Sequence, residues 1–256
     1  HNTSEKYYFS VNEETPKPKL IRSREKGIIY NINSWDNYFY IHTNKNAEDF
    51  KIERCKDLSS QKWEAFVAPK EETLIGGLLF LNKWIVRSEI ANALDKIFVK
   101  NIETNKEEEL IFTDENVYDA SISHTQRDKN TDLIYIFCST PKTQSRVYLY
   151  NLKTKEKKLV KEQIIPSGHD SKNYIVERLE CVSHDGRKVP ITLTRHKNTP
   201  TDGSAHLLLY GYGSYGTSME ASFSSTRLSL INRNIIWATA HIRGGMERGM
   251  KWWKEG

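Results

Sequence analysis

The sequence predicts a mixed fold, part of an all-β propeller followed by the opening of an α/β domain. Three observations carry that expectation. Short β-rich runs recur at a nearly constant spacing up to about residue 164. Two almost identical polar turns close successive units. After Ile164 the pattern changes to strand, glycine loop, helix-capable stretch and apolar strand.

The repeats come first along the chain. Tyr38-Phe39-Tyr40-Ile41 is followed by the turn Thr43-Asn44-Lys45-Asn46 and then Phe50-Lys51-Ile52. Trp84-Ile85-Val86 precedes a polar stretch and Lys96-Ile97-Phe98-Val99. Leu133-Ile134-Tyr135-Ile136-Phe137 precedes Pro141-Lys142-Thr143 and Arg146-Val147-Tyr148-Leu149-Tyr150. Tyr38 to Trp84 is a step of 46 residues, and Val99 to Leu149 one of 50. Asn101-Ile102-Glu103-Thr104-Asn105-Lys106 and Asn151-Leu152-Lys153-Thr154-Lys155-Glu156 share the form of a polar hairpin turn. Multi-strand repeats of this length are the signature of propeller blades, with a plain β-sandwich as the competing architecture. Residues 1–164 are therefore expected to hold about three blades and part of another.

Residues 165–256 read differently. Tyr174 to Ser183 and Lys188 to Arg195 flank Asp185-Gly186 as a hairpin. His206-Leu207-Leu208-Leu209-Tyr210 is a continuous apolar run of the kind buried on both faces of a sheet. A helix is expected from about Thr217 to Ile231, then a buried strand within residues 234–242. Strand, helix and strand in that order make a β–α–β unit with parallel strands.

The loop between them, residues 211–216, has the form G-x-G-x-x-G through Gly211, Gly213 and Gly216. In a dinucleotide-binding enzyme such a loop opens a helix, and an acid about 20 residues later holds the ribose. No Asp or Glu occurs from Ser222 to Arg243, so that alternative lacks its second half. The same loop misses the nucleophile elbow G-x-S-x-G because Tyr212 stands at the first glycine, which makes Ser214 a poor nucleophile. His169-Asp170 and His184-Asp185 are expected to be solvated turn residues, since sequence neighbours cannot form a nucleophile–base–acid line.

Composition sets the outer limits. The 256 residues include 13 Tyr, 9 Phe and 6 Trp among 38% hydrophobic residues, which a disordered chain lacks. The net charge of +5 comes from interspersed acids and bases, so no nucleic-acid partner is expected. No apolar run reaches the roughly 18 residues of a membrane span. Three cysteines without a C-x-x-C pair argue against zinc or a disulfide framework and for a cytoplasmic setting. The chain starts at His1 and stops after an aromatic stretch, and it is expected to be an internal piece of a longer protein.

Four ordered motifs carry a family resemblance. LLLYGYGSYG at 207–216, FSSTRLSLINR at 223–233 and AHIRGGMERGMKWW at 240–253 follow GHDSKNYIVERLECVSHDGRKVPITL at 168–193. Together they resemble the prolyl oligopeptidase family of serine peptidases, in its oligopeptidase B branch. STPKTQSRVYLYNLKTKEKKLVKEQ at 139–163 is similar to its last blade. The resemblance is dense over 139–256 and thinner over 1–138.

The resemblance implies a propeller over 1–164 and the start of an α/β-hydrolase domain over 165–256. It implies hydrolysis of short peptides after Arg or Lys, with no cofactor and no metal. It places an oxyanion donor at Tyr212 and substrate-binding roles at Glu220 and Tyr215. Members carry a second acid two positions after the one at Glu220, where this chain has Ser222, so preference for paired basic residues is expected to be weakened. Arg243 and Glu247 match a motif read as loop architecture or domain-interface pairing. In α/β-hydrolases the Ser, acid and His follow this unit in that order, and no G-x-S-x-G occurs in these residues. The piece alone is therefore expected to be inactive, a peptide-binding propeller remnant being the other alternative.

Overall fold

The computed structural model describes residues 3–60, 62–123 and 128–256. Chain contacts divide the protein into two compact units, His1–Glu71 and Glu72–Gly256.

The first unit holds a two-stranded sheet, β1 (Lys6–Tyr8) and β2 (Lys19–Arg22). It also holds an antiparallel meander of β3 (Tyr30–Trp35), β4 (Tyr38–Thr43), β5 (Lys51–Cys55) and β6 (Glu64–Val67). Asp36 and Asn37, both at positive φ, turn β3 into β4. That is the backbone a tight two-residue hairpin requires, and Asp and Asn tolerate it better than most residues. Ile21, Tyr30, Ile41, Cys55 and Leu58 form the core.

The second unit opens with two more meanders of the same kind. One is β7 (Thr73–Leu81), β8 (Trp84–Ala91), β9 (Leu94–Asn101) and β10 (Glu107–Glu109). The other is β11 (Asp119–Ile122), β12 (Leu133–Thr140), β13 (Thr143–Asn151) and β14 (Lys157–Glu162). The repeated runs of the sequence are the two middle strands of each meander, β4–β5, β8–β9 and β12–β13. The paired polar turns are structural twins. Asn101 Oδ1 accepts from the backbone N–H of Glu103 and Thr104, and Asn151 Oδ1 accepts from Lys153 and Thr154. Ile134 and Ile136 of β12 are fully buried with Leu79, Leu81, Val86, Ile97 and Val99. Leu133, Tyr135 and Phe137 alternate with them onto the exposed face.

A mixed sheet follows, ordered β15 (Tyr174–Val182), β16 (Lys188–His196), β18 (Ile236–Ala240), β17 (Leu207–Gly211). The hairpin expected at 174–195 is β15–β16. β17 runs parallel to β18, with helix α1 (Ser225–Ile231) between them, and helix α2 (Gly249–Lys254) closes the chain. The strand–helix–strand unit is thus present, with three corrections. The sheet is not wholly parallel, because β16 pairs antiparallel with both β15 and β18. β17 is not buried on both faces. Within these residues it is the outer strand of the sheet, and α1 packs mainly on β16 and β18, its Leu228 and Ile231 clustering with Tyr174 and Trp237. Leu207 and Leu209 are accordingly more than half exposed. Finally, α1 begins at Ser225 rather than near Thr217, because residues 218–223 give their polar groups to tertiary partners described below.

Among the described residues no helix is long and apolar enough to cross a membrane.

Candidate active-site loop at the carboxyl end of the parallel strands

In α/β sheets, ligands bind outside the carboxyl ends of the strands. Here that end of β17 leads into residues 211–217, and that end of β18 leads into residues 241–248. The two loops are fastened together. The Gly216 N–H donates to the Gly244 carbonyl (2.9 Å), and the Met246 N–H donates to Ser218 Oγ (3.2 Å). A Cβ on Gly213 would stand 2.0 Å from the Arg243 carbonyl oxygen. Gly216 has φ +74°, and a Cβ there would strike the Met246 side chain. Close approach of two chain segments thus explains these glycines. α1 starts nine residues after Gly216, so the loop does not open a helix as the dinucleotide reading requires.

Tyr212 sits at the rim of this junction, 37% exposed, and Tyr215 is almost fully exposed at φ +59°. Both are accessible to a ligand. Glu220 lies farther along and faces two carboxylates of the blades, Asp95 of β9 and Asp119 of β11. Partial burial raises the Glu220 pKa, and the nearby Asp119 adds to the rise. Burial pushes Asp95 up to about 7, opposed by the Ala120 N–H it accepts and reinforced by Asp119 and Glu220. Asp119 is also raised, mainly by burial. The two side chains act on each other, Asp119 raising Asp95 and Asp95 lowering Asp119.

The blades and the mixed sheet meet in a polar seam. The Phe223 N–H donates to Ser139 Oγ (3.2 Å), and the His169 ring N–H at Nε2 donates to the Lys142 carbonyl (2.7 Å). His169 also stacks on Tyr174. It is therefore not the solvated turn residue expected, because its ring bridges two layers. Asp170 is exposed and caps the short 3-10 helix at Ser171–Asn173, its Oδ1 accepting the Lys172 N–H. His184 and Asp185 are both exposed turn residues as expected, and Asp185 is also ion-paired to Arg243 at 2.6 Å. Glu247 accepts the Met219 N–H at Oε1 (2.8 Å), and its carbonyl accepts the Ala93 N–H (2.8 Å). The interface reading of Glu247 thus has a specific geometry. Asp95, Asp119, Arg178 and His241 carry no sequence signal of their own. They reach the loop only through contacts spanning tens to more than a hundred residues.

Blade-type meanders hydrogen-bonded to a strand–helix–strand unit, with an accessible tyrosine loop at its carboxyl end, define a propeller protein with an attached mixed-sheet segment. The chain belongs to the prolyl oligopeptidase family: residues 1–163 match its profile, described as the N-terminal β-propeller domain. It is 34% identical over 93% of its length to dipeptidyl aminopeptidase BI of Pseudoxanthomonas mexicana, covering 33% of that protein. It is 32% identical over 99% of its length to protease 2 of Moraxella lacunata, covering 36% of that protein. Oligopeptidase B from Trypanosoma brucei, solved in a closed form with covalently bound antipain, superposes with a TM-score of 0.91 at 27% identity. That match covers 100% of this chain and 38% of the other. The family resemblance of the sequence is borne out, and the chain spans about a third of the length of these relatives.

Proposed function

We propose that this chain is the portion of a cytoplasmic serine oligopeptidase that carries propeller blades, the start of an α/β-hydrolase domain, the oxyanion tyrosine and one acid of the basic-residue site. The observation that carries the reading is the placement of Tyr212, accessible at the carboxyl end of β17 in a loop locked by the 213–216 and 243–246 contacts. Serine attack on a peptide carbonyl creates an oxyanion, which needs donors already in position. One such donor contributes roughly 3–4 kcal/mol to the transition state. A backbone N–H after the serine supplies one, and the Tyr212 hydroxyl supplies the other. The locked loop keeps that hydroxyl in place without reorganisation during the reaction.

Glu220 receives a basic side chain of short peptide substrates cleaved after Arg or Lys, and Tyr215 lends a face to the peptide. Ser222 lacks the second charge, and the carboxyl nearest to Glu220 on the blade side is that of Asp119. The free thiols of Cys55, Cys138 and Cys181 agree with a reducing compartment. The nucleophile, acid and base come from sequence outside these residues.

The test is turnover of a fluorogenic peptidyl-arginine substrate by this chain and by the chain extended with its downstream sequence. The 256 residues alone are expected to be silent, and an extension containing G-x-S-x-G, Asp and His is expected to be active. Turnover by the 256 residues, or silence of such an extension, overturns the reading. NAD is expected to leave the melting temperature unchanged.

A further inference from the structure

Two hydrogen-bonded routes join the same two points of the molecule. One point is the β8–β9 hairpin turn, Asn92-Ala93, on a blade. The other is Met219, the neighbour of Glu220. In the first route Glu247 bridges alone: its carbonyl accepts the Ala93 N–H and its Oε1 accepts the Met219 N–H. In the second, Arg178 donates to the Asn92 carbonyl and, through Nη1, to Thr192 Oγ1 (2.8 Å) and His241 Nε2 (3.1 Å). His241 then reaches the Met219 carbonyl through Nδ1 (2.8 Å). We propose that Arg178, His241 and Glu247 form a clamp that couples the Asn92-Ala93 hairpin to Met219 and so positions the loop carrying Tyr212 and Glu220.

The chemistry of each atom fixes its role. A carbonyl only accepts, so Nδ1 of His241 must carry the proton. A guanidinium only donates, so Nε2 must offer its one lone pair, which the Thr192 hydroxyl (2.8 Å away) and Arg178 Nη1 share. The ring is therefore neutral and has one allowed tautomer. His241 and Glu247 are both 0% exposed, so water cannot substitute for any of these contacts. Glu247 Oε2 has no hydrogen-bond partner and lies against Gly245, where a Cβ would stand 2.1 Å away. A buried carboxyl with one orphaned oxygen is an expensive way to hold one amide, which sets it apart from a packing residue.

The hairpin end shows the same over-determination. Asn92 and Ala93 both have positive φ. Asn tolerates that region, whereas an alanine there stores about 1–2 kcal/mol and persists only where its surroundings hold it. Ala93 is buried, and its N–H is the one Glu247 takes. That Met219 bears on catalysis rests on the peptidase reading above, but the coupling itself does not.

Amide hydrogen exchange on the 256-residue protein tests the clamp. Arg178→Met cuts the hairpin grip while leaving both direct partners of Met219 in place. It is expected to speed exchange of the Met219 N–H at least tenfold, with β12–β13 amides unchanged. Glu247→Gln keeps the acceptor and is expected to hold Met219 exchange within about twofold of the parent, whereas Glu247→Leu releases it. Unchanged Met219 protection in Arg178→Met overturns the proposal. If Arg178→Met loosens every amide alike, Thr192→Val removes one hydroxyl of the same route. A selective rise at Met219 then supports the clamp, and uniform exchange in both variants overturns it. The substrate assay decides the peptidase reading separately.

Discussion

Gly213 and Gly244 meet backbone to backbone: a Cβ on Gly244 would lie 1.7 Å from the Gly213 carbonyl oxygen. Neither segment can yield without breaking the junction that holds Tyr212. Gly213→Ala and Gly244→Ala are therefore each expected to destabilise the protein by upward of about 2 kcal/mol. Gly211→Ala is the control, since its Cβ would sit 3.4 Å from the Ala240 carbonyl oxygen, and it is expected to stay within about 1 kcal/mol of the parent. Urea unfolding measures all three. Equal tolerance at 211 and 213 would remove the geometric account of the glycine pattern.

Tyr212 and Tyr215 separate by kinetics in a triad-bearing form of the protein. Tyr212→Phe is expected to lower kcat by about 10²–10³ with little change in KM, because an oxyanion donor acts in the transition state. Tyr215→Ala is expected to raise KM and leave kcat, since it touches only bound substrate. A Tyr212→Phe enzyme with unchanged kcat would leave the oxyanion assignment without support.

Stability should respond to pH through two opposed groups. Burial and the charge of Arg178 lower His241 to about 4 in the folded chain, against 6.5 ordinarily. The unfolded chain thus takes the proton first, and the stability from His241 is lost as pH falls from about 6.5 to 4. Asp95, at about 7 folded against 3.8, works the other way. Its contribution is full below 3.8 and lost as pH rises through 7. Asp95→Asn keeps the shape of the protonated acid and removes the second slope. The stability advantage of the parent over this variant is expected to grow as pH falls from 7 to 4, by up to about 1.4 kcal/mol per unit. A difference that stays constant between pH 4.5 and 7.5 rules this out.

The β7–β10 meander contains a buried ion pair. Arg87 Nε lies 2.8 Å from Glu89 Oε1, both side chains are almost inaccessible, and its Nη atoms reach the two oxygens of Glu107. Breaking a buried pair strands a charge, so Arg87→Met is expected to destabilise by about 3–5 kcal/mol. Glu162→Gln, which breaks the half-exposed pair with Arg146, is expected to lose less than about 1 kcal/mol. Similar losses at the two sites would show that burial does not set the difference.

Local pattern made the blades readable. The middle strands announced themselves through aromatic and β-branched runs, and the twin Asn101 and Asn151 turns through identical hydrogen-bonding needs. The outer strand β10 escaped notice because Glu107-Glu108-Glu109 has no apolar face to report it. Leu207-Leu208-Leu209 of β17 reads as a doubly covered strand, and within these residues it is the outermost strand of its sheet. The short α1 follows from polar groups at 218–223 claimed by residues 139, 241, 246 and 247, which no window of neighbouring residues contains. The Tyr212 loop was visible as a motif. Its acidic and cationic surroundings were not, because Asp95, Asp119 and Arg178 join it through tertiary contact alone.

The seam also bears on how the protein comes apart. Sequence style changes near residue 164, yet contacts from Ser139, Lys142, Asn92 and Ala93 run straight across that point into the mixed sheet, all inside the unit Glu72–Gly256. Melting of the β7–β14 meanders should therefore remove partners that the mixed sheet needs, and the converse. Over these residues the architecture changes midway while cooperativity does not, so a protease or a denaturant should meet one transition where the sequence shows two styles.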